Sequence, residues 1–213
     1  MGIRVSVLAA ALMMGSASLI QAQTITTGVK VGIDFSSLPN AGAVIDQIVK
    51  QPSTETSSKV GALFGGFVTV PFRNRLALQP ELQYVMKGTK LTEAAAGGTV
   101  TASVRYLEFP VLLRYTLPVG EQTGYVLFGP AFAVKAGTSG QLDGPNGTSD
   151  VNIDPAFRTF DAGLAFAGGL EYRRYLFELR YTQGLTDAAT DAYAHTDSVK
   201  NRTIAIAAGI RFK

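Results

Sequence analysis

The sequence predicts an all-β protein, an eight-stranded antiparallel up-and-down transmembrane β-barrel. Three observations predict it. Short apolar runs alternate with a period of two and are rich in Val, Ile, Phe, Tyr and Thr. The links between the runs alternate short and long, as in a meander whose two ends face different compartments. The faces opposite the bulky residues carry charges of both signs in equal number, which a closed lumen requires because unpaired buried charge is costly.

Eight runs are expected, over about 25–35, 58–72, 75–88, 101–117, 124–137, 157–172, 175–186 and 200–213. The short links are "RN", "PVGEQT" and "RR". The long links, 36–57, 89–100, 138–156 and 187–199, are rich in Ser, Thr, Gly, Asn and Asp. Parity then separates two faces. In strand three, Leu76, Leu78, Leu82, Tyr84 and Met86 oppose Gln79, Glu81, Gln83 and Lys87. In strand four, Leu107, Phe109, Val111, Leu113, Tyr115 and Leu117 oppose Glu108 and Arg114. The other strands divide likewise, strand two least clearly.

A soluble barrel would turn the apolar faces inward, and a membrane barrel turns them outward. The apolar faces hold more aliphatic and aromatic bulk than an eight-strand interior accommodates. The opposite faces mix Gly and Ala with charge. They place Lys30, Lys87, Lys135, Arg114, Arg180 and Arg211 against Asp34, Glu81, Glu108, Asp161, Glu171 and Glu178. These twelve residues form the expected lumen charge network, read as a salt-bridged plug rather than an ion path, because eight strands leave room only for side chains.

Composition narrows the function classes. Of 213 residues, 46% are hydrophobic and only 16% charged, against about 25% charged in soluble proteins. The net charge of +3 is too small and scattered to indicate a nucleic-acid partner. With no cysteine, neither a disulfide nor a thiolate metal site can be proposed. The single histidine, His195, starves most hydrolytic and metal mechanisms. It lies in the loop "DAYAHTDSVK" near Asp191, Asp197 and Ser198, and a nucleophile needs a base oriented by a rigid element. No catalytic residue, cofactor or metal is therefore expected.

Residues 1–22 read as an export signal: Arg4 precedes an apolar run, Val5 to Met14, too short to cross a bilayer, and small residues lead to Ala22. Residues 23–213 form the barrel domain, with no further domain expected beyond the last strand. "DVNIDP" places Asp150, Asn152 and Asp154 at calcium-loop spacing, with Asp161 at the last position. Pro155 stands where such a loop needs Gly, so a polar turn is expected. "AGAVIDQIVK" (41–50) has helical spacing and predicts a short helix at the barrel mouth. The Gly pairs at 65–66 and 168–169 are expected to bend strands. Pro110 points to the lumen, and Pro80 and Pro130 are expected to mark bulges.

The segments "GVKVGIDFSSL", "LQPELQYVMKGTKL", "YLEFPVLLRY", "YVLFGPAFAV", "LEYRRYLFELRYTQGL" and "AIAAGIRFK" resemble the PorT-like outer-membrane β-barrel family of Bacteroidetes-type, Gram-negative bacteria. Their order and spacing are the specific part. The resemblance implies an eight-stranded barrel in the cell outer membrane, partnered by outer-membrane lipid and the barrel assembly machinery. One member type is tied to assembly of a secretion system. Phe212 stands in for the terminal aromatic of such barrels, one residue early. With the N-terminus in the periplasm, Phe72, Tyr115, Tyr172, Tyr175 and Phe212 form an expected aromatic belt at the short-turn end. Phe35, Tyr84, Phe160 and Tyr181 form the other belt, nearer the long loops. The expected role is structural, assembly or surface interaction with other envelope proteins through the long loops. The alternatives are a small-solute channel, a secreted lipocalin-like ligand carrier and a lipid-modifying barrel enzyme.

Overall fold

The computed structural model describes residues 24–37, 53–93, 99–144, 147–151, 153, 158–186 and 200–212. Among them it has nine strands: β1 (Thr26–Ser37), β2 (Ser53–Arg73), β3 (Leu76–Glu93), β4 (Thr99–Val119), β5 (Gln122–Gly144), β6 (Gly147–Val151), β7 (Phe160–Tyr172), β8 (Tyr175–Gly184) and β9 (Arg202–Phe212). All pair antiparallel. The order β4-β3-β2-β1-β9-β8-β7-β5 is closed by a β4–β5 ladder, giving a ring of eight strands. No described helix is long and apolar enough to cross a membrane.

Period-two alternation sets the two faces. Along β8 the burial alternates residue by residue: Phe177 and Leu179 lie outside while Leu176, Glu178 and Arg180 are buried. Along β9, Ile204 and Ile206 lie outside while Ala205 and Ala207 are buried. The outside is thus a continuous apolar band. The inside holds buried Lys30, Asp34, Glu81, Lys87, Glu108, Arg114, Asp161, Glu171, Glu178 and Arg180. This is the reverse of a soluble barrel. Bulky apolar residues also reach the lumen. Leu112, Tyr125, Leu127, Ala131 and Ala165 make one small cluster; Leu63, Val85 and Ala205 make another.

The short links are tight. Asn74–Arg75 joins β2 to β3, Gly120–Glu121 joins β4 to β5, and Arg173–Arg174 joins β7 to β8. Arg173 takes φ 58° to turn the chain.

Two expectations are corrected. First, the links 36–57, 89–100 and 138–156 are not loops throughout. β2 begins at Ser53, β3 runs to Glu93, β4 begins at Thr99 and β5 runs to Gly144. A ninth strand, β6, folds back on β5 through Gly140↔Val151 to Gly144↔Gly147. β2 to β5 have 18 to 23 residues, whereas β1, β7, β8 and β9 have 10 to 13. A spanning strand needs about 9–11 residues. One side of the barrel therefore continues as a sheet past its long-loop rim.

Second, Pro80 and Pro130 mark no bulge. Pro80↔Val111, Pro110↔Ala131 and Pro130↔Leu164 hold register with the following strand. The shifts fall elsewhere, between Ser53/Glu55, Ser58/Leu63, Pro71/Arg73 and Arg105/Tyr106. Each of the three prolines faces its missing donor toward the preceding strand, where the ladder skips rungs without changing register.

The Gly pairs at 65–66 and 168–169 lie within ladders that keep register across them, and one glycine of each pair makes a close approach. A Cβ on Gly65 would lie 2.4 Å from the Leu82 carbonyl oxygen, and one on Gly169 2.4 Å from the Tyr125 ring. Gly66 and Gly168 have ordinary room.

A charge-paired lumen as the candidate functional site

The inward faces of the eight ring strands meet in a layer of bonded polar side chains. Glu81 of β3 is its centre. Lys30 Nζ of β1 lies 2.9 Å from Glu81 Oε2, and Arg180 of β8 donates from Nη1 to Oε2 at 2.8 Å and from Nη2 to Oε1 at 3.0 Å. Gln79 Nε2 donates to Glu81 Oε1 at 2.7 Å, and Gln83 Nε2 donates to Oε2. Lys30 and Arg180 also hold Glu178, at 3.0 Å and 2.7 Å. Two cations and two amides thus satisfy a carboxylate whose side chain has 0% exposure. Burial on this scale demands such saturation.

The layer continues toward the short-turn end. Gln79 Oε1 accepts from Arg114 Nη1 of β4 at 3.0 Å and from Thr69 Oγ1 of β2 at 3.2 Å. Arg114 Nη2 donates to Glu171 Oε1 of β7 at 2.6 Å, and Arg211 Nη1 of β9 lies 3.1 Å from the other Glu171 oxygen. The Arg114 guanidinium sits 3.9 Å from the centroid of the Tyr125 ring of β5, whose Oη donates to Glu178 Oε2 at 3.3 Å. Every one of the eight ring strands contributes a side chain to this connected set.

A second layer lies toward the long-loop end. Lys87 forms an ion pair with Glu108, its ammonium 5.5 Å from the Tyr106 ring centroid. Asp161 accepts from Thr186 Oγ1 at 2.6 Å and from Asn201 Nδ2 at 3.2 Å. Asp34 is fully buried, and neither carboxylate oxygen has a hydrogen-bond partner among the described residues. Lys135 sits half-buried at this mouth, just before the β4–β5 register shift.

Ten of the twelve charges expected in the lumen are buried, with Lys135 and Arg211 at its two mouths. Their pairing is uneven: Glu81 holds two cations, whereas Asp34 is bonded to none. Tyr106, Tyr125 and Phe67 were not singled out from the sequence, yet each presents its ring to a lumen cation. Parity was the available signal, since each shares the inward face of its strand. Asp161 belongs to the barrel interior and Asp150 to β6. Asn152, Asp154, His195, the helix expected at 41–50 and the export signal at 1–22 lie outside the described residues.

The nine aromatic residues expected in the belts lie on the outward faces. Tyr172 and Tyr175 flank the β7–β8 turn, Phe212 ends β9, Phe72 is next to last in β2, and Tyr115 lies four residues before the end of β4. Phe35, Phe160 and Tyr181 lie toward the long-loop ends of β1, β7 and β8. Tyr84 stacks against Phe64 at 5.2 Å.

Among the described residues, no cluster of His, Cys, Asp or Glu has the geometry to hold a metal ion. The arrangement can hold a lumen shut and fix strand order.

Comparison with known proteins follows this geometry. Several solved structures are similar in fold. The attachment invasion locus protein Ail of Yersinia pestis is 13% identical over 89% of this chain and 100% of its own, with a TM-score of 0.45. The outer membrane protein OprG of Pseudomonas aeruginosa is 15% identical over 88% and 95%, with a TM-score of 0.47. The outer membrane enzyme PagL is 10% identical over 87% and 98%, with a TM-score of 0.43. No curated protein matches the sequence. Residues 21–189 match the model of the outer membrane protein beta-barrel domain. That match covers most of the chain, and the chain belongs to the outer membrane protein β-barrel domain family.

Proposed function

We propose that this protein is a closed, non-enzymatic scaffold of the outer membrane that presents its long-loop end to other envelope proteins. The observation that carries the reading is the saturated layer around Glu81. A water-filled path would have to break several charge-assisted bonds at once, and such bonds are the strong ones in a low-dielectric interior. The continuation of β2 to β6 past the rim supports the presenting role. Its backbone edges at Ser53–Ser58 and at β6 are unpaired among the described residues, and open edges can accept an added strand. The PorT-like subtype, export by residues 1–22, and recognition of Phe212 by the assembly machinery belong to the same reading. They rest on the segments quoted above.

The test is a planar-bilayer recording of the purified, refolded protein. The expected outcome is no stable conductance from the wild-type protein. Glu81→Ala combined with Arg180→Ala empties the centre of the layer and should give small, flickering currents. Stable, large conductance from the wild-type protein would sink the scaffold reading in favour of a channel.

A further inference from the structure

The lumen is not filled to both ends. At the short-turn end a cavity of about 190 Å³ opens between the strand termini. At its share of the liquid, water would fill that space with about six molecules. The outer grooves are apolar and lie on the lipid-facing wall, as at Val126, Phe128 and Phe166. This cavity is polar. Three arginines line it, Arg75, Arg114 and Arg211, against one acidic residue, Glu171, with Asn74 and Thr69 among the uncharged polar residues. The local balance is thus two positive charges in excess.

The donors are also in surplus. A guanidinium has five N–H donors. Arg114 is 4% exposed and uses Nη1 on Gln79 and Nη2 on Glu171. Arg211 ion-pairs with Glu171 through Nη1 and reaches the Arg173 carbonyl at 3.5 Å through Nη2. Arg75 sits in the β2–β3 turn, exposed, with no ion pair among the described residues. One buried and two more accessible arginines therefore border a concave space whose lining carries more donors than acceptors. A concave site lined by low-dielectric walls concentrates the field of its charges.

We propose that this vestibule binds a phosphate-type anion presented from the compartment at the short-turn end. Arg75 and Arg211 supply accessible donors and Arg114 forms the charged floor. The positive excess suits a phosphate group, singly charged in a diester and up to doubly charged in a monoester or the free ion, and the fork of a guanidinium matches two phosphate oxygens. The source is either a soluble phosphate compound or the headgroup of an adjoining phospholipid, whose phosphate offers the same oxygens. The site does not depend on whether the lumen conducts.

The test uses the full barrel in micelles of a phosphate-free maltoside detergent, titrated with inorganic phosphate by calorimetry at constant ionic strength. The expected result is one saturable site, with chloride at the same strength giving none. Arg75→Gln, in an exposed turn and without effect on the lumen bonds, should weaken binding roughly tenfold, one charge-assisted contact. Arg75→Gln with Arg211→Gln should abolish saturation, while Lys135→Gln at the opposite mouth should leave it unchanged. Phosphatidylglycerol added to the micelles distinguishes the sources. Competition with free phosphate assigns the site to a lipid headgroup, and lack of competition assigns it to a soluble ligand. Absence of saturable binding overturns the proposal, as does an equal loss in Lys135→Gln, which would mean diffuse attraction rather than a site.

Discussion

Gly169 lies directly across the β5–β7 ladder from Tyr125, and a Cβ on Gly169 would stand 2.4 Å from the tyrosine oxygen. The missing side chain is what lets the ring lie flat across the lumen, under Arg114 and within reach of Glu178. Gly169→Ala should therefore force the ring or the strand to move. The Phe177 carbonyl at 2.5 Å blocks the other direction. The expected cost is about 1–3 kcal/mol of overpacking. Gly168→Ala, next in sequence but facing outward with room, should be close to neutral. Urea unfolding in lipid vesicles compares the two, and equal midpoints would remove the interlock from the account.

The two buried carboxylates Glu81 and Asp34 should respond in opposite ways to loss of charge. Glu81→Gln leaves Lys30 and Arg180 short of a counter-charge in the interior, which costs about 3–5 kcal/mol for a broken buried pair. Asp34→Asn removes a carboxylate that has no hydrogen-bond partner among the described residues and should be neutral or stabilising by about 1 kcal/mol. A heat-modifiability series on gels gives the order directly. Destabilisation of similar size in both variants would contradict the uneven pairing.

Depth on the outer wall should control the cost of charge. Leu179 faces outward midway along β8, and Leu117 faces outward near the short-turn end of β4. Arginine at the bilayer midplane of a barrel costs about 2–4 kcal/mol, and about 0–1 near an interface. Leu179→Arg should lower folding yield into vesicles well below that of Leu117→Arg. Equal yields would mean that the apolar band is not centred on the membrane.

The extension beyond the rim should be dispensable for closure. β7 pairs with β5 only from Thr123 to Val134, so the ring is complete before β5 reaches Gly137. Replacing residues 138–157 by a short Gly-Ser link should keep the barrel folded, since loop closure changes slowly with length. Proteolysis of intact cells then checks the topology. Full-length protein should be cut in this region, and the shortened form should resist.

How much of this was legible in sequence depends on which face a residue occupies. Period two placed Leu107, Phe109 and Leu113 outside and Glu108 and Arg114 inside, because one face of a strand excludes the other. The residues 138–151 were read as loop because Gly, Ser, Asp and Asn have low strand preference. Backbone pairing with β4 and β6 overrides that preference once β5 already stands beside β4. A central strand cannot spare a donor, which predicts bulges at Pro80 and Pro130 and a lumen-facing Pro110. In three dimensions each loses a rung without losing register. Charge balance was visible, yet partner choice was not. Which cation meets Glu81 depends on register across β1, β3 and β8, which no local pattern encodes. The Gly169–Tyr125 interlock was hidden for the same reason.

The connected layer draws on every ring strand, from Lys30 on β1 to Arg211 on β9. A barrel that closed a strand short, or in the wrong register, would leave a guanidinium or a carboxylate stranded in the interior. The lumen thus acts as a proofreader of assembly. Near-correct rings are penalised chemically, so the completed ring is favoured over its imitations before any partner meets it.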